Sequence, residues 1–403
     1  MNIVFVSKEC PPSLRSSGIG TYVWETGRAL AHFGHNVTIV AAADDGQLTS
    51  SAPSPRLTVI RLPDDEIGIG KRNVVTRTFC APAKDGIAYR RRVSKCISTL
   101  IDSQHPDVIE FAGYRGESVM WLTEKRHLPM VVKMHGFTAG IDSVWKDHLS
   151  ATMRLQVNWE RQELKAADTI TVATENQARL VRPRFGADGV KVVRYCIDMD
   201  VWKRLTAEAS HEIGPNDVLF VGNLQKKKGL FVLLRAANLL RQNGWRGRLV
   251  LAGRSCPEFE RFIRLRAALG RNLPDWVVHL GICQRERLAG LYRDAGVCCF
   301  PSLLEPFGFV CLEAMACGGL VVGAQRTGMT EILTGNSGFL VPPGDVSKLV
   351  GLLSRALSTS AAEQRQMREA AQQRAHDRFN KSVVIPELLD VYRETIDSYS
   401  LRR

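Results

Sequence analysis

The chain has no run of about 18 apolar residues, the length that a helix needs to cross the hydrocarbon core of a bilayer. Its first apolar stretch, residues 1–7, is too short for a secretory signal peptide and leads directly into Lys8 and Glu9. We therefore expect no transmembrane helix and a cytoplasmic location.

The ten cysteines lack the spacing of metal or redox sites, because no C-x-x-C pair occurs. Several of them lie inside apolar segments that are typical of strands and helices. We expect reduced, buried cysteines instead of disulfides or a zinc site.

Acidic residues are fewer than basic ones, with 41 Asp and Glu against 54 Lys and Arg, which gives a formal net charge of +13 at pH 7. Such an excess predicts an acidic partner, such as nucleotide phosphates, an anionic membrane or nucleic acid. Aromatic residues make up only 7% of the chain, and no nucleic-acid motif with interleaved aromatics occurs. Nucleic acid is therefore not expected as a partner.

What the chain does contain is an alternation of short apolar strands with helices over 403 residues. This pattern predicts an α/β fold with two doubly wound parallel sheets, each in a domain large enough for its own core. We expect a first domain over residues 1–198, a polar linker over 199–217, a second domain over 218–385 and a final amphipathic helix over 386–403.

The strongest candidate site lies in residues 300–319, where an apolar strand ends, Pro306 and Gly308 interrupt the backbone and a buried helix follows. Glu305 lies on the loop that leaves the strand, and Glu313 lies eight residues later inside the apolar helix. Because a helix N-terminus favours phosphate, Glu305 could hold a sugar hydroxyl beside it, and Glu313 could accept hydrogen bonds from a ribose. The alternative is that Glu305 caps the helix and Glu313 reaches solvent, although a buried carboxylate is costly unless paired.

This stretch resembles the E-x7-E signature of glycosyltransferase family 4, the retaining nucleotide-sugar transferases with the GT-B fold. The resemblance extends over most of the chain. It implies two Rossmann-like domains that face each other across a cleft, with the helix over 386–403 crossing back to the first domain. It also implies a nucleotide-diphospho-sugar donor, a UDP-sugar before a GDP-sugar, and a hydroxyl acceptor.

The same resemblance implies that the leaving phosphate receives the acceptor's proton, so that no dedicated nucleophile is needed. The GT-B fold normally stabilises the departing diphosphate with Lys, Arg and helix dipoles. We identify no D-x-D motif as a metal site, and we therefore expect no metal and no other cofactor.

The resemblance assigns a diphosphate clamp to the second domain. Residues 222–229 match the family's G-R-x-x-x-x-K-G element, with Lys228 at the Lys position and Asn223 in place of the Arg. A neutral amide lacks the forked, charged donor group of Arg. Either a neighbouring lysine or Arg254 compensates, or the diphosphate is held more weakly. The alternative for three consecutive lysines is a solvated surface.

Further donor contacts follow from the resemblance. Glu305 would bind the sugar's hydroxyls and orient the anomeric carbon, and Glu313 would bind the ribose. The backbone of the 281–283 loop, which includes Ile282, would pair with the nucleobase. Backbone N–H groups at the start of the helix would bind phosphate, namely those of Phe307, Gly308 and Phe309.

Two features of the first domain complete the implied site. His135 follows an apolar strand and precedes Gly136, a position where open α/β sheets bind ligands. It resembles the family's histidine that touches the donor sugar, with a hydrogen bond to a loop carbonyl as the alternative. Gly18 and Gly20 precede a helix expected from about Thr21 and resemble the loop that lines the donor pyrophosphate and acceptor cleft. A flexible turn is the alternative there.

One stretch departs from the family. Where its members have P-N-G-V-D, this chain has Arg194-Tyr195-Cys196-Ile197-Asp198, so that only the final apolar-Asp pair fits. We therefore make no prediction for the local turn.

Segment 71–95 is rich in Lys and Arg and contains a single acid, Asp85. Clustered basic residues attract anionic headgroups, and in this family such a surface on the first domain often meets lipids that carry the acceptor. A solvated face is the alternative. We expect peripheral contact with the inner face of the membrane or with a lipid-linked acceptor through Arg90, Arg91 and Arg92. This favours cell-surface polysaccharide or glycolipid synthesis, with a small soluble acceptor as the alternative.

Other functions stay open at this point. A nicotinamide-linked dehydrogenase is disfavoured, because Gly18 and Gly20 lie about ten residues beyond the first strand and Val23 occupies the third glycine position. A nucleotide-sugar epimerase or a phosphorylase could share the fold. Asn223 leaves room for a non-catalytic nucleotide-sugar-binding subunit.

Overall fold

The chain forms two compact units. Unit 1 comprises Met1–Cys196 and Val384–Arg403, and unit 2 comprises Ile197–Val383, so that the chain leaves unit 1 once and returns to it near its end. The computed structural model describes residues 1–13, 17–64, 81–124, 128–136, 151–186 and 189–402.

Fourteen strands and thirteen α-helices occur in these described residues. The strands are β1 (Asn2–Val6), β2 (Asn36–Ala42), β3 (Thr49–Ser54), β4 (Leu57–Leu62), β5 (Val108–Phe111), β6 (Met130–Met134), β7 (Thr169–Val172), β8 (Val190–Val192), β9 (Val218–Val221), β10 (Leu249–Ala252), β11 (Val277–Gly281), β12 (Val297–Phe300), β13 (Val321–Ala324) and β14 (Phe339–Val341). The helices are α1 (Gly18–His32), α2 (Ala81–Gln104), α3 (Ala151–Ala166), α4 (Glu175–Phe185), α5 (Met199–Glu208), α6 (Leu230–Gln242), α7 (Pro257–Ala268), α8 (Arg285–Asp294), α9 (Phe309–Ala316), α10 (Met329–Ile332), α11 (Val346–Ser358), α12 (Ala361–Phe379) and α13 (Lys381–Leu401).

Each unit is built on one sheet. Unit 1 has an eight-stranded sheet in the order β3-β4-β2-β1-β5-β6-β7-β8, parallel throughout its described strands except for the antiparallel pair of β3 and β4. Unit 2 has a six-stranded parallel sheet in the order β11-β10-β9-β12-β13-β14. The central strands are runs of buried Val, Ile, Leu and Phe, as expected for parallel sheets covered on both faces. Two parallel-sheet α/β units confirm the predicted fold class.

The strand order reverses beside the first strand of each sheet. In unit 1, β1 pairs with β2 on one side and β5 on the other, and in unit 2, β9 pairs with β10 and β12. Loops that leave the carboxyl ends of such neighbouring strands diverge and form a crevice, which is where open α/β sheets bind ligands. The loops after β9 and β12 carry Lys228 and Glu305.

The segment expected as a linker, 199–217, instead begins with helix α5 and belongs to unit 2. The side chain of Asp198 accepts a hydrogen bond from the backbone N–H of Val201 and so caps the helix. Trp202 is completely buried, and its burial fixes α5 to the unit. The polar residues that suggested a linker lie partly on the exposed face of this helix, such as Lys203 and Arg204, and partly in the irregular segment 209–217 that follows it.

The last helix, α13, spans the return of the chain to unit 1. The hydroxyl of Tyr392 donates to Glu110 Oε2 at 2.7 Å, and the hydroxyls of Thr395 and Thr169 lie 2.7 Å apart. These contacts fix the C-terminal residues to β5 and β7. No helix in the described part of the chain is long and apolar enough to cross a bilayer.

Candidate functional site

Lys228 and Glu305 form an ion pair at the reversal point of the unit 2 sheet. Lys228 Nζ donates to Glu305 Oε2 at 2.5 Å, and the side chains are 28% and 10% exposed. Lys228 ends the short 3-10 turn Lys226–Lys228 after β9, and Glu305 lies on the loop after β12. The structure thus brings together the two residues assigned to the diphosphate and the sugar.

Close backbone contact between the loops after β9 and β12 explains why Lys228 and Glu305 lie next to each other. The N–H groups of Leu303 and Leu304 both donate to the carbonyl oxygen of Lys227, at 2.9 and 3.3 Å. Gly229 has a φ of +74°, and a Cβ at this position would lie 1.9 Å from the carbonyl oxygen of Pro301. Only glycine therefore allows the loops to approach this closely.

The loop of Glu305 continues into the N-terminus of α9. Gly308 adopts a φ of +115°, while Phe307 and Phe309 are buried on either side of it. The N–H of Gly328 donates to the carbonyl oxygen of Glu305 at 2.9 Å, which fixes the loop on its far side. The predicted phosphate contacts Phe307, Gly308 and Phe309 therefore lie at the positive end of a helix dipole, next to the Lys228–Glu305 pair.

Glu313 lies in the second turn of α9 and is half-buried. The buried hydroxyl of Tyr292, on α8, donates to Glu313 Oε2 at 3.0 Å. Burial, with the charge of Glu313 as a further cause, holds the pKa of Tyr292 well above its usual range. The hydroxyl is thus a proton donor that orients the carboxylate. Tyr292 could not be predicted from the sequence, because nothing in the local pattern of α8 links it to α9.

Asn223 follows β9 and is half-buried, and its carbonyl oxygen accepts from the N–H of Gln225 at 2.9 Å. The N–H of Leu224 donates to the carbonyl oxygen of Arg254 at 2.9 Å, so the exposed Arg254 lies beside the Asn223 loop. Ile282, assigned to the nucleobase, follows β11 and is 64% exposed. These contacts do not test the predicted roles of Asn223 and Arg254 at the diphosphate or of Ile282 at the nucleobase, which stay predictions.

In unit 1, His135 follows β6 and is only 6% exposed. Its Nδ1 lies 2.6 Å from the hydroxyl of Tyr195, so among the described residues its ring is paired with a side chain and not with a loop carbonyl. Burial, and then the charge of Lys133, hold the pKa of His135 well below its usual range. His135 Nε2 is buried and has no hydrogen-bond partner among the described residues.

Gly18 and Gly20 lie in the first turn of α1, which begins three residues before the predicted Thr21. Ser17 caps this helix, because its hydroxyl accepts from the N–H of Ile19. The expected loop around the glycines is therefore helical from Gly18 onward.

Arg90 was expected at a membrane-facing surface, but it is 4% exposed. Its guanidinium donates to the carbonyl oxygens of Gly86 and Gly116, at 2.7 and 2.9 Å, and lies 4.2 Å from the ring of Trp159. Arg92 is half-buried and donates to the carbonyl oxygen of Pro63 at 2.9 Å.

Arg90 is therefore a structural residue, and of the three predicted contacts only Arg91 is exposed. The part of the basic segment at 71–80, and the side chains of 81–85, lie outside the described residues.

One triplet has D-x-D spacing after all, at Asp198-Met199-Asp200. Asp198 is engaged otherwise, because it caps α5 and accepts from Lys381 Nζ at 2.7 Å. Burial raises the pKa of Asp198, but its bonds to Lys381 and to the helix N–H groups outweigh this and lower it. Within the described ranges, no group of three or more His, Cys, Asp or Glu side chains is arranged to hold a metal ion.

Two family models match the chain. The model "Glycosyl transferase 4-like domain" matches residues 17–196, and "Glycosyl transferases group 1" matches residues 204–374. Glycogen synthase of Mycobacterium tuberculosis (strain H37Rv) is 29% identical over 402 residues, which cover 97% of this chain and 94% of that protein. D-inositol 3-phosphate glycosyltransferase 2 of Catenulispora acidiphila is 30% identical over 410 residues, which cover 95% and 91%.

Solved structures share the fold. Sucrose-phosphate synthase from Thermosynechococcus elongatus superposes with a TM-score of 0.79 at 22% identity, covering 98% of this chain and 99% of that chain. Anabaena HepE in complex with UDP-glucose superposes with a TM-score of 0.67 at 17% identity, covering 99% and 100%. From the two family models, the 30% identical relative and these folds, it follows that the chain belongs to the glycosyltransferases of the GT-B fold.

Proposed function

We propose that this glycosyltransferase is a retaining enzyme that transfers a sugar from a nucleotide-diphospho-sugar, with UDP-sugars preferred over GDP-sugars, to a hydroxyl acceptor in the cytoplasm. The observation that carries this proposal is the Lys228–Glu305 ion pair beside the N-terminus of α9. One charged donor, one carboxylate and one helix dipole meet there, which suits a diphosphate joined to a sugar.

In this proposal, Lys228 and the N–H groups at the start of α9 bind the diphosphate. A diphosphate that engages Lys228 releases Glu305 to accept hydrogen bonds from the hydroxyls of the sugar. Glu313, oriented by Tyr292, accepts from the ribose. Binding of the diphosphate and orientation of the sugar are thereby coupled through one ion pair.

The main chemical task is to stabilise the departing diphosphate, whose charge increases as the bond to the anomeric carbon breaks. Fixed charges and dipoles accomplish this without reorganisation. The leaving phosphate oxygen accepts the proton of the acceptor hydroxyl on the same face of the sugar, so the configuration is retained. We propose that no metal takes part, because Lys228 and α9 supply the positive charge.

For the acceptor, the named relatives favour a small, phosphorylated hydroxyl compound. A D-inositol 3-phosphate glycosyltransferase and a glycogen synthase match this chain at nearly equal identity, so a polymer acceptor stays the second candidate. A lipid-linked acceptor, with peripheral contact at the membrane, is weakened by the burial of Arg90.

The first test is nucleotide release by the purified protein, with UDP- and GDP-sugars supplied separately and EDTA present. We expect one donor to be turned over, with kcat/KM lower by about 100-fold in Glu305→Ala and by about 10- to 100-fold in Lys228→Ala, the scale of removing one preorganised electrostatic contact. Lys348→Ala and Glu369→Ala, at exposed positions of unit 2, serve as matched controls.

Any other result of this test contradicts part of the proposed function. Loss of turnover in EDTA contradicts the metal-free clamp, and an epimerised nucleotide-sugar identifies an epimerase. Binding without turnover, even with sugar phosphates, glucan and lipid-linked acceptors added, identifies a binding subunit. Anomeric analysis of the product by NMR decides between retention and inversion.

A further inference from the structure

Three aromatic rings pack together in unit 1 around the end of β6. The ring of Tyr22, on α1, lies 4.8 Å from the rings of both His135 and Tyr195, and the last two are 5.5 Å apart. All three residues are buried, Tyr195 with 3% exposure. The hydroxyl of Tyr195 lies 2.6 Å from His135 Nδ1, which is hydrogen-bond distance.

A buried lysine packs against two rings of this cluster. Lys133 precedes His135 by two residues on β6 and has no exposed surface. Its Nζ donates to the carbonyl oxygen of Val193 at 2.5 Å and lies 5.1 and 5.2 Å from the ring centroids of Tyr22 and Tyr195. Lys133 thus joins β6 to the segment that carries Tyr195.

Glu110 lies on the neighbouring strand β5 and interacts electrostatically with this lysine. It is 1% exposed and accepts from the hydroxyls of Tyr22 and Tyr392, each at 2.7 Å. Lys133 and Glu110 are electrostatically coupled, since each shifts the pKa of the other toward its charged form. Glu110 thus holds the hydroxyl of Tyr22, while Lys133 lies against the rings of both Tyr22 and Tyr195.

The charge of Lys133 disfavours a second proton on the His135 ring, in the same direction as burial. A neutral imidazole has one N–H donor and one acceptor nitrogen. If the Tyr195 hydroxyl donates to Nδ1, the proton of the ring is on Nε2. His135 Nε2 is buried and has no partner in the described part of the chain. A buried N–H of this kind is costly until an acceptor binds to it.

We infer that Tyr195 is a positioning residue for His135: its hydroxyl donates to Nδ1 and holds the ring proton on Nε2, from which it can be donated to a hydroxyl oxygen of a substrate. This inference rests on the proposed function, whose sugar and acceptor both carry such oxygens. Tyr195 stands in the stretch 194–198, where the chain departs from the P-N-G-V-D motif. In this inference, the departure from the motif therefore supplies the residue that positions His135.

The tautomer can be observed directly by NMR. In protein labelled with 15N-histidine, long-range 1H–15N spectra distinguish protonated from unprotonated ring nitrogens, and loss of one spin system in His135→Gln assigns His135 among the nine histidines. We expect Nε2–H with unprotonated Nδ1 in the wild type, and a mixture of tautomers in Tyr195→Phe. An Nδ1–H ring in the wild type, or an unchanged ring in Tyr195→Phe, overturns the inference.

Activity supplies the second measurement. We expect Tyr195→Phe to lower kcat/KM about tenfold in a wild-type background and to have no further effect in His135→Gln, since coupled residues are not additive. Tyr89→Phe is the matched control, because the hydroxyl of Tyr89 is buried and has no partner among the described residues. Equal losses in both backgrounds show a purely structural role and overturn the inference.

The proposed function and the role of Tyr195 can be contradicted independently of each other. If no donor is turned over by the wild type, the proposed function fails, while the ring spectra of the wild type still decide the tautomer. If the spectra contradict the tautomer while turnover is normal, only the role of Tyr195 is lost.

Discussion

At the scale of single residues, unit 1 contains, besides Glu110, two buried carboxyl groups whose pKa is raised, Glu117 and Glu163. Burial raises the pKa of Glu117 to about 8, with the neighbouring Glu163 as the next cause, and burial raises that of Glu163 to about 7. The N–H of Lys8 donates to Glu117 Oε1 at 2.7 Å, and the N–H and hydroxyl of Ser118 donate to Glu163 Oε2 at 3.0 and 2.8 Å. Glu117 Oε2 has no partner among the described residues.

These carboxyl groups predict that stability decreases as pH rises from about 4.5, their ordinary pKa, through 7 to 8. The native protein binds more protons than the unfolded chain over this range, so each site lowers the free energy of unfolding by up to about 1.4 kcal/mol per pH unit. We expect a smaller decrease in Glu117→Gln. Urea denaturation at pH 5.5 and 8.0 measures it.

The exposed variant Glu369→Gln is the control for this measurement, and it should keep the wild-type dependence on pH. If Glu117→Gln and the wild type lose stability equally between the two pH values, Glu117 is ionised in the native protein and the expectation is wrong.

At the scale of elements, the candidate site depends on how closely the loops after β9 and β12 approach. Gly229→Ala would place a methyl group 1.9 Å from the carbonyl oxygen of Pro301, at a φ of +74°. The loops must then separate, and Lys228 moves away from Glu305. We expect kcat/KM for the donor to decrease at least tenfold, and stability to decrease by about 1–3 kcal/mol from the strained backbone. Steady-state kinetics and thermal melting measure both.

Gly351→Ala is the matched glycine control, because a Cβ there has nothing within 4 Å and the residue lies inside α11. It should leave kinetics unchanged and raise stability by up to about 1 kcal/mol through helix propensity. Full donor turnover by Gly229→Ala would contradict the importance of the loop contact.

The elements also show what the sequence could and could not predict. The positions of Lys228 and Glu305 were predictable, since an apolar run followed by Gly or Pro identifies the end of a buried strand. Helix α5 was missed, because its capping residue Asp198 and its buried Trp202 lie in an otherwise polar stretch. Strand β3 was missed as well, since its residues are Thr, Ser, Ala and Pro and are largely exposed.

Contacts between distant side chains could not be predicted at all. Tyr195 meets His135 across 60 residues and Tyr392 meets Glu110 across 282. Such pairs depend on the register and tilt of elements that have no sequence pattern in common. The same applies to Arg90, whose burial follows from carbonyl groups of another loop and not from its own basic segment.

At the scale of the whole molecule, unit 1 is assembled from both ends of the chain. Deletion of residues 384–403 removes Tyr392 from Glu110 and exposes the apolar surface that Ile385 and Leu388 cover. Glu110 then keeps Tyr22 as a donor but loses the one to Oε2, and a buried carboxylate oxygen left without its donor is destabilising. We expect the deletion variant to lose the cooperative unfolding of unit 1 and to be cleaved rapidly there by protease.

A shorter deletion, of Arg402 and Arg403, is the control and should cost about 1 kcal/mol, because in the described chain it removes one ion pair, between the exposed Arg402 and Asp168. Protease resistance of residues 1–196 in the longer deletion, detected by mass spectrometry, would show that unit 1 folds without its C-terminal part.

The return of the chain at α13 also determines the order of events during synthesis. The entry to and exit from unit 2 are neighbours, since the N–H of Ile197 donates to Phe379 and the N–H of Lys381 donates to Ile197, at 2.9 and 3.0 Å. Unit 2 is complete when residue 383 has left the ribosome, whereas unit 1 waits for its last twenty residues. The half translated first is thus the half completed last, and a nascent chain that stalls late exposes Glu110 to chaperones and proteases.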